Sequence, residues 1–243
     1  MHADHRSPAP VALTFDDGPD PVWTPLVLKA LADVGARATF FVVAPRAKRY
    51  LYLISNMVKR GHDVAVHCEE HVRHDAMTQA EIEADVESGL LALGRSVQYW
   101  RTPWGLVTPA TEAVARRYDL GLVGWTADTE DWRGGAPDEM LARVRDDISP
   151  GSIVLMHDGV GPGATRVDCA GTIALVRPLV ALARSHGLEP ATLDQFPYPL
   201  PDRNPDFRAT KAGNESAIGV SAFSLHNSST PLKYCRDEHL QSR

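Results

Sequence analysis

The 243-residue sequence predicts an α/β fold of parallel strands, curled into a (β/α) barrel of about seven units. Two observations carry this. Short β-type runs alternate with longer helical patterns as far as about residue 196, and strands joined through helices imply parallel pairing by right-handed crossovers. Every polar cluster follows the carboxyl end of a strand: Asp16-Asp17, His67, Arg101, Asp128 to Trp132, and His157. A doubly wound sheet also satisfies the alternation, but it gathers its site at one switch point. A barrel draws functional residues from the ends of many strands.

The elements follow in order. Val11-Ala12-Leu13 opens the first strand, 11–16, which runs into Thr14-Phe15-Asp16-Asp17-Gly18. Helix 24–34 starts on Thr24-Pro25, a cap followed by a first-turn proline, and Gly35 stands just past its end. Strand 37–43, helix 46–60 and strand 62–67 come next. Helix 78–93 begins with Thr78-Gln79-Ala80-Glu81, a capping box, and spaces Ile82, Val86, Leu90 and Leu93 along one face. Strand 97–102 leads to helix 108–118, where Thr108-Pro109 repeats the first helix's device. Strand 120–126, helix 137–148, strand 152–157, helix 171–186 and strand 188–193 complete the pattern. A short arm, 1–10, precedes the domain at 11–196. From Pro197 to Arg243 the chain turns polar and loses periodicity, which predicts a poorly ordered tail.

Composition narrows the partners. Hydrophobic residues at 44% and charged residues at 23% suit a soluble globular domain. A net charge of -6 argues against nucleic acid or an anionic membrane surface. No apolar run is long enough to span a bilayer, and Met1 to Pro8 has no apolar core of the secretory type, so a cytoplasmic location is expected. Cys68, Cys169 and Cys235 are too few and too scattered for a disulfide framework, in keeping with a reducing compartment.

The chemistry starts at Asp16-Asp17. Adjacent carboxylates raise each other's proton affinity unless a cation sits close. Neighbouring side chains of an extended chain face opposite ways. One can therefore meet a metal while the other meets a reacting water. His67-Cys68-Glu69-Glu70-His71 supplies the complement, two imidazoles four residues apart, expected to present from one face of a helical turn. Two imidazoles and one carboxylate with open positions form the ligand set of a hydrolytic zinc site. His62 and His74 read as structural.

Thr14-Phe15-Asp16-Asp17-Gly18, His67-x-x-x-His71, Arg101-Thr102-Pro103-Trp104-Gly105, Asp128-Thr129-Glu130-Asp131-Trp132 and Leu155-Met156-His157 occur in that order. They resemble the five motifs of the NodB-homology polysaccharide deacetylases, the fourth family of carbohydrate esterases. The resemblance implies a distorted (β/α) barrel that removes acetyl groups from sugars with one divalent metal, Zn²⁺ foremost and Co²⁺ or Ni²⁺ as alternatives. It assigns Asp17, His67 and His71 to the metal, and Asp16 as the general base toward metal-bound water. Arg101 would hold Asp16, and the Trp104 N–H would help stabilise the oxyanion. His157 would act as general acid, oriented by Asp131, with Trp132 and Leu155 walling the acetyl pocket. Two departures stand out. Cys68 replaces the family's usual Ser or Thr, whose hydroxyl braces the loop between the two histidines; packing is the preferred reading for the thiol, a fourth ligand the alternative. Glu69-Glu70 puts two acids at the mouth.

The expected activity is hydrolysis of an N-acetyl group on an amino sugar, either a chito-oligosaccharide or a small sugar conjugate. The alternative within enzymes is the same chemistry on a non-sugar cyclic amide. A catalytically dead sugar-binding module would lack at least one of the six key side chains, and all six are present. A two-His-one-carboxylate iron oxygenase shares the ligands but not the Asp pair. Short loops, the absence of an export signal, and Glu69, Glu70 and Glu130 beside the cleft predict a short, neutral or amine-bearing substrate.

Overall fold

The computed structural model describes residues 8–196. The expected tail at 197–243 and most of the expected arm lie outside these residues.

Among the described residues one sheet of eight parallel strands forms, as a curled half-barrel with helices packed on it. Its strands are β1 (Ala9–Asp16), β2 (Thr39–Val43), β3 (Asp63–Cys68), β4 (Tyr99–Trp100), β5 (Gly121–Leu122), β6 (Ala127–Asp128), β7 (Ile153–His157) and β8 (Leu188–Ala191). The order is β5-β4-β3-β2-β1-β7-β6, and β8 pairs with the first half of β1. The helices are α1 (Trp23–Asp33), α2 (Ala44–Arg49), α3 (Leu51–Lys59), α4 (Gln79–Leu93), α5 (Pro109–Arg117), α6 (Pro137–Val144) and α7 (Ala170–Ser185). None is long and apolar enough to cross a membrane.

β1 is the hub. Val11 to Asp17 are all buried, as expected of a strand covered on both faces. The predicted capping box at Thr78 forms, with Thr78 Oγ1 accepting from the Glu81 N–H, and the predicted Thr108 cap accepts from the Thr111 N–H.

Three elements differ from expectation. Helix α1 starts at Trp23 rather than on a Thr24 cap, and Asp20 Oδ1 accepts the N–H groups of Val22 and Trp23 at 2.8 and 3.0 Å. Helix 46–60 is two helices meeting at Tyr50, where φ is -123° and ψ is 45°. One straight helix that buried Ala47 would next turn Tyr50 and Leu51 inward, yet Leu51 is exposed and the core instead takes Leu53, Ile54 and Met57. Strand 120–126 likewise divides. The Val123 N–H still bonds the Trp100 carbonyl of β4 (2.9 Å), while the Thr126 N–H bonds Ile153 of β7 (2.9 Å). This stretch crosses between the two edges of the sheet, and β5 and β6 do not pair with each other.

Candidate active site

All five motif segments converge at the carboxyl ends of the strands. Asp16, at the end of β1, is in register with Phe41 on β2 and His157 on β7. Asp17 then takes a left-handed conformation, φ 70°, uncommon outside glycine. Arg46 holds that turn from α2, with Nη1 donating to the Asp17 carbonyl (2.9 Å) and Nη2 to the Val160 carbonyl (3.0 Å). The loop after β7 closes over the carboxylate so tightly that a Cβ on Gly161 would lie 2.1 Å from Asp17 Oδ2. Any larger residue there would push the Asp17 carboxylate out of place.

His67 and His71 both direct Nε2 at Asp17 Oδ1, each from 3.5 Å. The three donor atoms lie within 4.8 Å of one another. His67 Nδ1–H donates to the Arg101 carbonyl (2.7 Å), which leaves Nε2 as the free lone pair. Asp17 Oδ1 is buried and has no hydrogen-bond partner, an acceptor facing two imidazole nitrogens. These are the features a divalent cation would satisfy, so the residues fit the group the family implies. Burial and the neighbouring His67 push His71 down to about 4, keeping it neutral. Burial opposes ionisation of Asp17, but His67 and His157 hold its carboxyl well below the usual range.

The pair is not on a helical turn. His67 belongs to β3 and His71 to an irregular loop. The Asp85 carboxylate of α4 holds that loop by accepting the N–H groups of Glu69 and Glu70, both at 2.9 Å. The His71 ring meets Trp104 edge-on, with centroids 4.2 Å apart. Cys68 is buried and outside the ligand trio. His62 and His74 are structural: His62 Nδ1 accepts from the Ala38 N–H (3.2 Å), and His74 Nδ1 pairs with Thr111 Oγ1 (2.9 Å).

Arg101 is fully buried and pins Asp16. Its Nη1 donates to Asp16 Oδ1 (2.8 Å) and Thr14 Oγ1 (2.9 Å), and its guanidinium lies 4.1 Å from the centre of the Phe41 ring. Its remaining nitrogens reach the Val123 and Gly124 carbonyls at 3.2 and 2.8 Å, fastening the crossing between β5 and β6.

On the opposite side His157 Nδ1 donates to Asp131 Oδ1 (2.7 Å), and the His157 N–H donates to Oδ2 (2.9 Å). Burial works against the imidazolium, but the Asp131 carboxylate, joined by Asp17 and Asp16, pushes His157 up to about 9. Trp104, Trp132, Leu155 and His157 share one cavity of about 270 Å³ with Asp16 and the ligand trio. Trp104 is also left-handed, φ 53°.

A second expectation fails. Glu69, Glu70 and Glu130 do not line this cavity. Glu69 and Glu70 border a separate surface hollow, with Glu69 paired to Lys48 (3.3 Å). Glu130 lies between Arg133 and Arg143, at 3.3 and 3.4 Å. Glu69 and Glu130 are thus paired with nearby cations, and none of the three glutamates adjoins the cavity.

Several side chains went unnoticed in the sequence: Arg46, Asp85, Arg166, Thr172 and the buried Asp158; Asp128 was noticed only as part of its motif. Burial raises Asp128 to about 6, against a hydrogen bond from Glu130. Burial raises Asp158 to about 7, against a hydrogen bond from Thr24 and with the charge of Asp17 adding to the rise. Gly159-Val160-Gly161-Pro162-Gly163 was the available signal, since clustered glycines mark close backbone approach.

Fold and site together define a parallel β/α half-barrel with a cation-type ligand trio at its strand ends, flanked by an arginine-held aspartate and an aspartate-held histidine. The chain belongs to the polysaccharide deacetylase family, the fourth family of carbohydrate esterases. The model for that family, described as polysaccharide deacetylase, matches residues 3–123. A chitooligosaccharide deacetylase of Sinorhizobium fredii is 36% identical over 190 residues, 76% of this chain and 86% of the relative. A peptidoglycan-N-acetylglucosamine deacetylase of Bacillus cereus is 32% identical over 173 residues, covering 69% and 80%. A family 4 carbohydrate esterase from Streptomyces lividans, solved with acetate, superposes with a TM-score of 0.69 at 28% identity, covering 76% and 92%.

Proposed function

We propose that this chain is a metal-dependent carbohydrate N-deacetylase, hydrolysing the acetamide of an N-acetylated amino sugar of the chito-oligosaccharide class to acetate and the free amine. The observation that carries the reading is the partnerless, buried Asp17 Oδ1 facing His67 and His71 Nε2, with proton-transfer groups on either side. The names of the relatives in Sinorhizobium fredii and Bacillus cereus support a sugar substrate over a cyclic amide.

Asp17, His67 and His71 would hold the ion. A divalent cation there, Zn²⁺ by ligand type, would acidify water and polarise the acetyl carbonyl. Asp16, fixed in direction by Arg101, takes the proton of the attacking water. The Trp104 backbone N–H helps to carry charge developing on the carbonyl oxygen. Trp132 and Leu155 receive the methyl group. His157 gives the proton from Nε2 to the departing nitrogen while Asp131 holds its Nδ1–H. The C–N bond breaks as that proton arrives, so the amine leaves neutral.

The test is mass spectrometry of zinc-loaded protein incubated with chito-oligosaccharides of increasing length, peptidoglycan fragments and cyclic amides. Loss of an acetyl group from the oligosaccharides is expected, abolished by chelation and by Asp17→Ala. Asp16→Asn should keep its metal while turnover falls about 10²–10⁴-fold. Undiminished turnover by verified metal-free protein would end the reading, and loss of metal from Asp16→Asn would exchange the roles of the two aspartates.

A further inference from the structure

Asp131 is completely buried, and the two oxygens of its carboxylate receive four donors. Two come from His157, through Nδ1 and the backbone N–H. The other two come from outside that strand: Arg166 Nη1 at 2.9 Å and Thr172 Oγ1 at 2.6 Å, both on Oδ2. Arg166 lies in the loop after β7, and Thr172 in the first turn of α7.

The arrangement of the guanidinium says more than its presence. While Nη1 holds the carboxylate, Nη2 donates to the His157 carbonyl (3.1 Å) and the Gly159 carbonyl (2.9 Å). One side chain thus ties the aspartate to the backbone of the histidine it orients. Its own backbone is fastened beside Asp131, since the N–H groups of Thr165 and Arg166 both donate to the Trp132 carbonyl, at 3.0 and 3.3 Å. Arg166 Nε is buried without a partner, so the group is set by its terminal nitrogens at a cost in desolvation. Packing alone would be served by an apolar side chain of similar volume at no such cost.

We propose that Arg166 and Thr172 are positioning residues for the proton donor: they fix Asp131 in the one orientation that keeps His157 Nδ1 a donor and leaves Nε2 to face the cavity. The consequence for rate rests on the deacetylase reading; the consequence for the hydrogen bond does not. Without Arg166 the carboxylate keeps its histidine but loses the cation that fixes its second oxygen. With only the His157 N–H and Thr172 left on that oxygen, the carboxylate turns more readily about its Cβ–Cγ bond, and the imidazole turns with it. Thr172 limits the same rotation from the helix side.

The experiment uses zinc-loaded, full-length protein and the variants Arg166→Met, Arg166→Lys and Thr172→Val. Two substrates are compared, an N-acetylated chito-oligosaccharide and an aryl acetate. An amine leaves only when protonated, whereas an aryl oxide leaves without help, so a misplaced proton donor harms the first far more. For Arg166→Met and Thr172→Val, kcat on the oligosaccharide should fall about 10–100-fold at unchanged KM, with aryl acetate hydrolysis nearly unchanged and zinc content intact. Arg166→Lys, which keeps the charge but not the fork, should fall between. Equal losses on both substrates would overturn the proposal and leave Arg166 as a loop support.

A second readout needs no turnover. The low-field proton NMR signal of His157 Nδ1–H should shift or broaden in Arg166→Met and in Thr172→Val; an unchanged signal in both refutes positioning. If wild-type protein shows that signal but deacetylates nothing, the deacetylase reading fails and the positioning is judged by the resonance alone. Thr172→Val changes shape least and serves where Arg166→Met does not fold.

Discussion

Cys68 is the residue at which the chain departs most visibly from its family's motif, and its surroundings explain why the departure is tolerated. The thiol is fully buried, and burial, with Asp85 and Asp17 adding, pushes it well above the ordinary thiol range. Its sulfur is not among the donor atoms gathered by Asp17, His67 and His71. The brace expected of a hydroxyl at this position is supplied by Asp85 from the other side of the loop. Cys68→Ser should therefore leave zinc affinity unchanged by competition titration. A tenfold loss, about 1.4 kcal/mol, would make the sulfur a ligand. The His157–Asp131 pair makes a second prediction, for the metal-free protein. His157 rises from the usual 6.5 to about 9 on folding, so its contribution to stability is complete below pH 6.5 and disappears as pH rises through about 9. Urea melts of wild-type protein should lose midpoint between these limits. Asp131→Asn, which removes the anion responsible, should flatten that decline, and an equal decline in both proteins would assign it to other groups.

At the scale of elements, α4 couples packing to the site. Gly89 lets it lie against β3 so closely that a Cβ there would come 2.7 Å from Val66 Cγ1. Gly89→Ala gains helix propensity of up to about 1 kcal/mol. Overpacking of about 1–3 kcal/mol should outweigh it. The melting temperature should fall, and zinc affinity with it, because Asp85 rides on the same helix one turn earlier; a raised melting temperature would show that the strand gives way. Most elements were legible from local signals. Thr78-Gln79-Ala80-Glu81 and Thr108-Pro109 encode their own helix starts, and Val11 to Phe15 reads as a buried strand without reference to its neighbours. The break at Tyr50 was not legible, because it answers to which surface each half covers. Nor was the division of 120–126, where Gly124 has no side chain to favour either edge and the choice is made by partners on β4 and β7.

Over the whole molecule, the same distinction separates the residues of the site that could be read from those that could not. Asp16, Asp17, His67, His71, Arg101, Asp131 and His157 stand at strand ends in motifs whose spacing is local. Arg46, Asp85, Arg166 and Thr172 act through bonds to backbone or to a carboxylate on another element, and nothing in their own neighbourhoods announces it. Arg101 belongs to both groups, since it pins Asp16 and also spans the crossing that the sheet leaves open. The placement of β1 bears on how the molecule comes into being. Among the described strands this one is made first, yet its register is set by β2 and by the much later β7 and β8. Asp16 pairs with His157 of β7, so it cannot be locked into place until the chain has been made at least that far. Until then a strand buried on both faces in the finished protein stays exposed, a long-range pairing of the kind that slows folding and invites aggregation.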